Sequence, residues 1–204
     1  MKLFCKIIST VFHPLLMSTY SMIWLMTATE AYKVSTPAYK LTAIGGTLIF
    51  TGIVPLIPLV VLLMRGKITD INVSVRRQRT LPYIFSCVAC IIWAVFLRGK
   101  LQMPCFIVSV ALASAVALVI LLLINLRWKI SMHLCCAGSV FAFVAGMSFK
   151  LGTNPLWLLV TMLIISSLLA ISRVELKAHT PAQTIAGFAV GFITTLLPIV
   201  LINN

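Results

Sequence analysis

Seven apolar runs, at about 7–27, 41–64, 80–97, 104–126, 132–149, 155–171 and 182–202, leave this chain of 204 residues room for little except membrane spans. Each approaches or exceeds the roughly 18–20 residues that a helix needs to cross a bilayer. The bilayer core holds no water, so every backbone N–H and C=O must pair within the protein, and long unbroken apolar runs meet that demand as helices. The reading is a single integral membrane domain over residues 1–204, all-α, a polytopic bundle of six to seven transmembrane helices. Lys2 and Lys6 precede an apolar run as in a signal peptide, but no small-residue cleavage site follows, which predicts an uncleaved first span.

Charge narrows the partners. The net charge is +13, with only three acidic residues, yet the basic residues stand singly or in small groups between spans. That distribution does not suit nucleic acid, which calls for a continuous basic face. It suits anionic lipid headgroups at the membrane surface. The six cysteines fall in or beside predicted spans. Cys87 and Cys90 lack a second pair at zinc-ligand spacing, so the cysteines read as buried thiols and no metal or other cofactor is expected.

The densest polar chemistry lies between the last two spans. Ser172, Arg173, Glu175, Lys177, His179 and Gln183 fall within twelve residues. Thr180-Pro181 reads as a helix start, with Thr as cap and Pro as first helical residue. Free amides and partial positive charge at such a start favour an anion. Gln183, three residues after the cap, completes a capping box.

Two earlier stretches carry related chemistry. Residues 65–79, RGKITDINVSVRRQR, form the densest charge cluster, and Pro82 follows Arg79 by three. Its plain reading is a basic loop that fixes orientation. Residues 127–133, RWKISMH, open the fifth span. Trp128 and Lys129 read as interface anchors, Ser131 as a cap and His133 as an interfacial side chain. His13-Pro14 predicts a kink in the first span, with His13 bonded to backbone. Gly138, Ala142 and Gly146, and Gly187 with Gly191, are small-residue stripes for close helix packing.

Taken together, the three stretches resemble the signatures of the type 2 phosphatidic acid phosphatase family. Ser172-Arg173, five residues and His179 match the third signature, with Gln183 where the family has Asp. Ser131 and His133 match the second without its Pro and Gly. Arg79 with Pro82, and Arg76 in place of a Lys, match the first loosely. The spans at 80–97 and 104–126 are an insertion relative to the family. The resemblance implies metal-independent hydrolysis of a lipid phosphate or polyprenyl (di)phosphate in a bacterial inner membrane. It gives His179 the role of nucleophile, forming a phosphohistidine, and His133 that of general acid, with Gln183 orienting His179. Arg76, Arg79, Lys129, Ser131, Ser172 and Arg173 would hold the phosphate. The alternatives are a degenerate member that binds a lipid phosphate without hydrolysis, and a small transporter.

Alternation of seven spans places all three stretches on one face. That face carries eleven basic residues against five on the other, which favours the cytoplasmic side.

Overall fold

The computed structural model describes residues 1–71 and 73–202, so Asn72, within the 65–79 loop, lies outside the described residues. Among the described residues all regular structure is helical. Among the described residues six helices are long and apolar enough to cross a membrane, and a bent pair at the N-terminus makes a seventh if it is one span. The protein is an all-α membrane bundle.

The predicted first span is two helices. α1 (Lys2–Val11) and α2 (Pro14–Ala28) meet at 56°. Pro14 lacks the amide that would continue the ladder, and the His13 Nδ1 takes over as cap by accepting from the Leu15 amide at 3.3 Å. α1 packs along α9, while α2 descends into the bundle. After the short α3 (Glu30–Lys33), Thr36 caps α4 (Pro37–Thr47), which runs through a π-helical segment (Leu48–Ile53) into α5 (Val54–Met64). This crossing starts four residues earlier than the apolar run predicts. Pro55 and Pro58 each remove an amide from the ladder, and the π-turn precedes them.

A 3₁₀ turn (Arg76–Arg79) leads into α6 (Thr80–Gly99), which forms a hairpin with α7 (Cys105–Asn125). α8 (Met132–Leu151) is the most enclosed helix and ends at Gly152, whose φ of 63° lets the chain turn back into α9 (Leu156–Glu175). α10 (Pro181–Leu201) closes the bundle against α8 and α7. The starts of α2, α6, α8 and α10 and the ends of α5, α7 and α9 therefore share one end of the bundle. A cross-chain bond from the Tyr39 hydroxyl to the Leu101 carbonyl, 3.2 Å, ties the opposite end.

The α8–α10 contact is the tightest in the molecule. A Cβ at Gly187 would collide with the Ser131 carbonyl, one at Gly191 with the Cys135 carbonyl, and one at Gly138 with the Phe188 carbonyl. Backbone meets backbone there, as small-residue stripes allow. This contact fixes the start of α8 against the start of α10.

Candidate functional site

At the shared end, a pocket of about 60 Å³ is lined by His13, Arg79, Pro82, Tyr83, His133, Arg173 and His179 among others. All three histidines of the chain meet there.

The turn after α9 presents His179. The Lys177 amide bonds to the Val174 carbonyl at 2.8 Å and the Ala178 amide to the Arg173 carbonyl at 3.1 Å, with Lys177 left-handed at φ 54°. This is a Schellman closure with Lys where Gly is usual. The His179 amide also reaches the Arg173 carbonyl, at 3.2 Å, so one backbone oxygen ties the two residues together. Thr180 then caps α10: its hydroxyl accepts from the Gln183 amide at 3.4 Å.

Gln183 serves cap and histidine with the same atom. Its Oε1 accepts from the Thr180 amide at 3.2 Å and lies 3.1 Å from His179 Nδ1. A backbone amide can only donate, so that side-chain atom is the oxygen and not the NH₂. His179 Nδ1 must then carry the proton it donates, which leaves the lone pair on Nε2. Burial, and next the Arg79 guanidinium, pull the His179 imidazole down from 6.5 to about 3. It is a neutral imidazole at physiological pH, with a fixed tautomer and a free basic nitrogen.

His133 sits one residue into α8, whose cap Ser131 accepts from the Leu134 amide at 3.5 Å. Its Nε2 lies 3.3 Å from the Ser9 carbonyl of α1. A carbonyl only accepts, so Nε2 bears the hydrogen. The His13 ring meets it edge to face, with centroids 5.5 Å apart.

The two arginines are buried and form no ion pair with a carboxylate among the described residues, although the Asp70 charge reaches Arg173. Arg79 donates from Nε to the Val73 carbonyl and from Nη1 to the Ile130 carbonyl, both at 2.9 Å. Two of its five N–H donors are thereby used. Arg173 Nε is buried with no hydrogen-bond partner among the described residues. Burying a cation without its counter-charge is costly, and an anionic ligand would relieve that cost.

The remaining sequence candidates lie elsewhere. Arg76 stands outside the pocket: its Nη1 donates to the Asn125 carbonyl at 2.8 Å and to the Leu126 carbonyl, while Asn125 Nδ2 returns a bond to the Arg76 carbonyl at 2.9 Å. It clamps the end of α7, whose last carbonyls have no helical partner. Ser131 is wholly buried, and its amide donates to the Gln183 carbonyl at 3.3 Å. Ser172 is buried in α9 outside the pocket lining. Lys129 also stands outside the lining, yet burial, Arg79 and Arg173 push its ammonium below the usual lysine value. Its charge reaches the pocket even though its side chain does not line it.

His13 and Tyr83 are pocket residues that the sequence does not announce as such. The His-Pro step marks His13 as a cap but gives no sign of which helix it faces. Among the described residues no group of three or more His, Cys, Asp or Glu side chains is placed to hold a metal ion.

No family model, no curated protein and no solved structure matches the chain. The class that the fold defines is a multi-pass helical membrane protein.

Proposed function

We propose that the protein is a membrane-embedded phosphohydrolase that cleaves a lipid phosphate or polyprenyl (di)phosphate through a phosphohistidine. The reading rests on one observation above the rest: a neutral His179 with its lone pair on Nε2 shares a buried pocket with two arginines that form no ion pair with a carboxylate among the described residues. Nε2 attacks phosphorus and the bond from phosphorus to the lipid oxygen breaks. His133, as its imidazolium, supplies a proton to the departing oxygen and becomes neutral. Water then attacks the phosphohistidine and gives a proton back to His133, the phosphorus–nitrogen bond breaks, inorganic phosphate leaves, and His179 returns to its neutral form. Arg79 and Arg173 bind the equatorial oxygens and stabilise the charge that builds on them, the largest contribution to phosphoryl transfer. The setting proposed is a bacterial inner membrane, with the pocket toward the cytoplasm, where basic loops are retained.

The test is release of inorganic phosphate from a panel of lipid phosphates by detergent-solubilised protein with EDTA present. His179→Ala and Arg173→Ala should abolish release while each variant still purifies as a monodisperse species. Undiminished release by His179→Ala would sink the mechanism.

A second reading is binding without hydrolysis. Gln183 favours it, because a neutral amide stabilises an imidazolium less than a carboxylate does. Saturable binding of a lipid phosphate with no release from any member of the panel would decide for it.

A further inference from the structure

A second cavity, of about 120 Å³, opens beneath the histidine pocket and runs into the middle of the bundle. Pro14, Leu15, Ser86 and Met132 line both, so the two spaces adjoin. Its walls are α2, the π-helical segment, α6, α7 and α8. On α8 it extends from Met132 to Phe143, about 16 Å at 1.5 Å per residue. That is close to one leaflet of a hydrocarbon core roughly 30 Å thick. Such a volume drawn out over such a length is a narrow slot.

The floor is aromatic. Trp93 is buried and stacks between Phe50 and Phe96 at centroid distances of 5.3 and 5.4 Å, and its ring fills the place where a Cβ on Gly46 would sit. Phe143 closes the other side.

Several hydroxyls line the slot, as they would a water or ion path, but the donors of five of them are used. Ser21, Thr47, Thr51 and Ser114 each donate to the carbonyl four residues earlier, and Ser139 donates to the Gly191 carbonyl. Among the described residues no Lys, Arg, Asp, Glu or His lines it. Transport pathways through membranes usually carry such groups.

We infer that this chamber takes the hydrocarbon tail of a single-chain lipid phosphate whose headgroup lies between Arg79 and Arg173. The inference rests on the phosphate-binding reading of the upper pocket. Charge complementarity at the top, an apolar slot of leaflet depth below and continuity between them select this occupant. A tail moving from bilayer to chamber gains no hydrophobic free energy, because it leaves one hydrocarbon phase for another. The chamber therefore acts by shape: it admits one chain and excludes a second.

The probe is hexadecyl phosphate carrying a diazirine at the tail terminus, photolysed with the intact protein in detergent, followed by peptide mapping. A polyprenyl phosphate with the same terminal group is the parallel arm, and the better labelled of the two identifies the chain type. Labelling should fall on Trp93, Ile107 and Ala111. Excess unlabelled hexadecyl phosphate should suppress it at least about tenfold better than a two-chain phosphatidic acid, a difference of about 1.4 kcal/mol. Ala111→Phe and Ala117→Phe should each lower the yield without loss of monodispersity. Mapping on the unaltered protein needs neither variant to fold. Labels confined to the outer surface, at Val88, Val116 or Val119, or no label at all, would overturn the proposal, and equal competition by the two-chain lipid would overturn its single-chain part. Chamber labelling without phosphate release would leave the proposal standing and remove the hydrolase. Release with surface labelling would do the reverse.

Discussion

The two halves of the bundle are built on opposite terms. α8 and α10 touch backbone to backbone through Gly138, Gly187 and Gly191. Across α8, the helices α2, α6 and α7 leave an internal chamber that Trp93, Phe143 and Leu121 help to line. The close half carries His133 and His179 at its adjoining helix starts, where a displacement of a few tenths of an ångström matters. The open half carries space. Glycines thus stand where two helices must be fixed against each other, while the chamber is lined by a mixture of small and large side chains.

The largest effect should come from forcing the close half apart. A side chain at Gly191 meets the Ser139 hydroxyl and, closer still, the Cys135 carbonyl, which cannot yield without moving a helix. Gly191→Val should cost more than about 4 kcal/mol, beyond the ordinary range for single substitutions, and leave little monodisperse protein on size exclusion. Gly45, where a Cβ meets nothing within 4 Å, is the control. Gly45→Ala should be neutral or stabilise by up to about 1 kcal/mol. Equal behaviour of the two variants would dissolve the contrast.

Much of this arrangement is legible in the sequence, and the exceptions have physical reasons. A run of twenty apolar residues has one reading in a bilayer, so the spans are plain. The break at Pro14 is equally plain, because proline removes a specific hydrogen bond. Arg173 and His179 are close in sequence, and the αL turn at Lys177 that joins them is local. Arg76 and Arg79 are different: nothing in RRQR says which guanidinium meets the end of a helix 49 residues on. Their partners are the Asn125 and Ile130 carbonyls, and only tertiary packing assigns them. Gln183 is the converse, a residue with two readings that the geometry does not separate, since a single oxygen meets both the cap amide and His179.

That double duty sets the second prediction. Gln183→Ala removes the acceptor from His179 Nδ1 and from the Thr180 amide together. Turnover should fall on the order of 10²-fold, the scale of a mispositioned reacting group. Stability should fall by roughly 0.5–2 kcal/mol, the worth of a cap. Gln183→Asp keeps an acceptor and adds charge, so turnover should hold or rise. If steady-state phosphate release per folded molecule is unchanged in Gln183→Ala, the residue is a cap alone.

Arg76 sharpens the comparison from the open half. Arg76→Ala leaves the Asn125 and Leu126 carbonyls without their donor and should cost about 1–3 kcal/mol in thermal denaturation. Turnover per folded molecule should stay the same, because the side chain stands outside the pocket. Two polar residues would then have similar stability costs and opposite kinetic consequences. A loss of turnover matching that of Gln183→Ala would return Arg76 to the site.

The smallest effect is a pH dependence that belongs to the close half alone. His179 titrates near 6.5 when unfolded and at about 3 in the fold, because burial and then Arg79 disfavour the imidazolium. Between those values the unfolded chain binds a proton that the native protein does not, so stability rises with pH across that interval. The His179 contribution is complete above about pH 6.5 and is lost progressively as the pH falls toward 3. Lowering the pH from 7 to 5 should therefore cost on the order of 1–2 kcal/mol through this residue. Thermal denaturation in detergent at both pH values, for the unaltered protein and for His179→Gln, isolates it: the variant should lose that part of the slope and keep whatever the rest of the chain contributes. Identical slopes would mean that His179 is as free to protonate as in solution. The neutral nucleophile, and with it the chemical advantage of the clamped helix starts, would then fall.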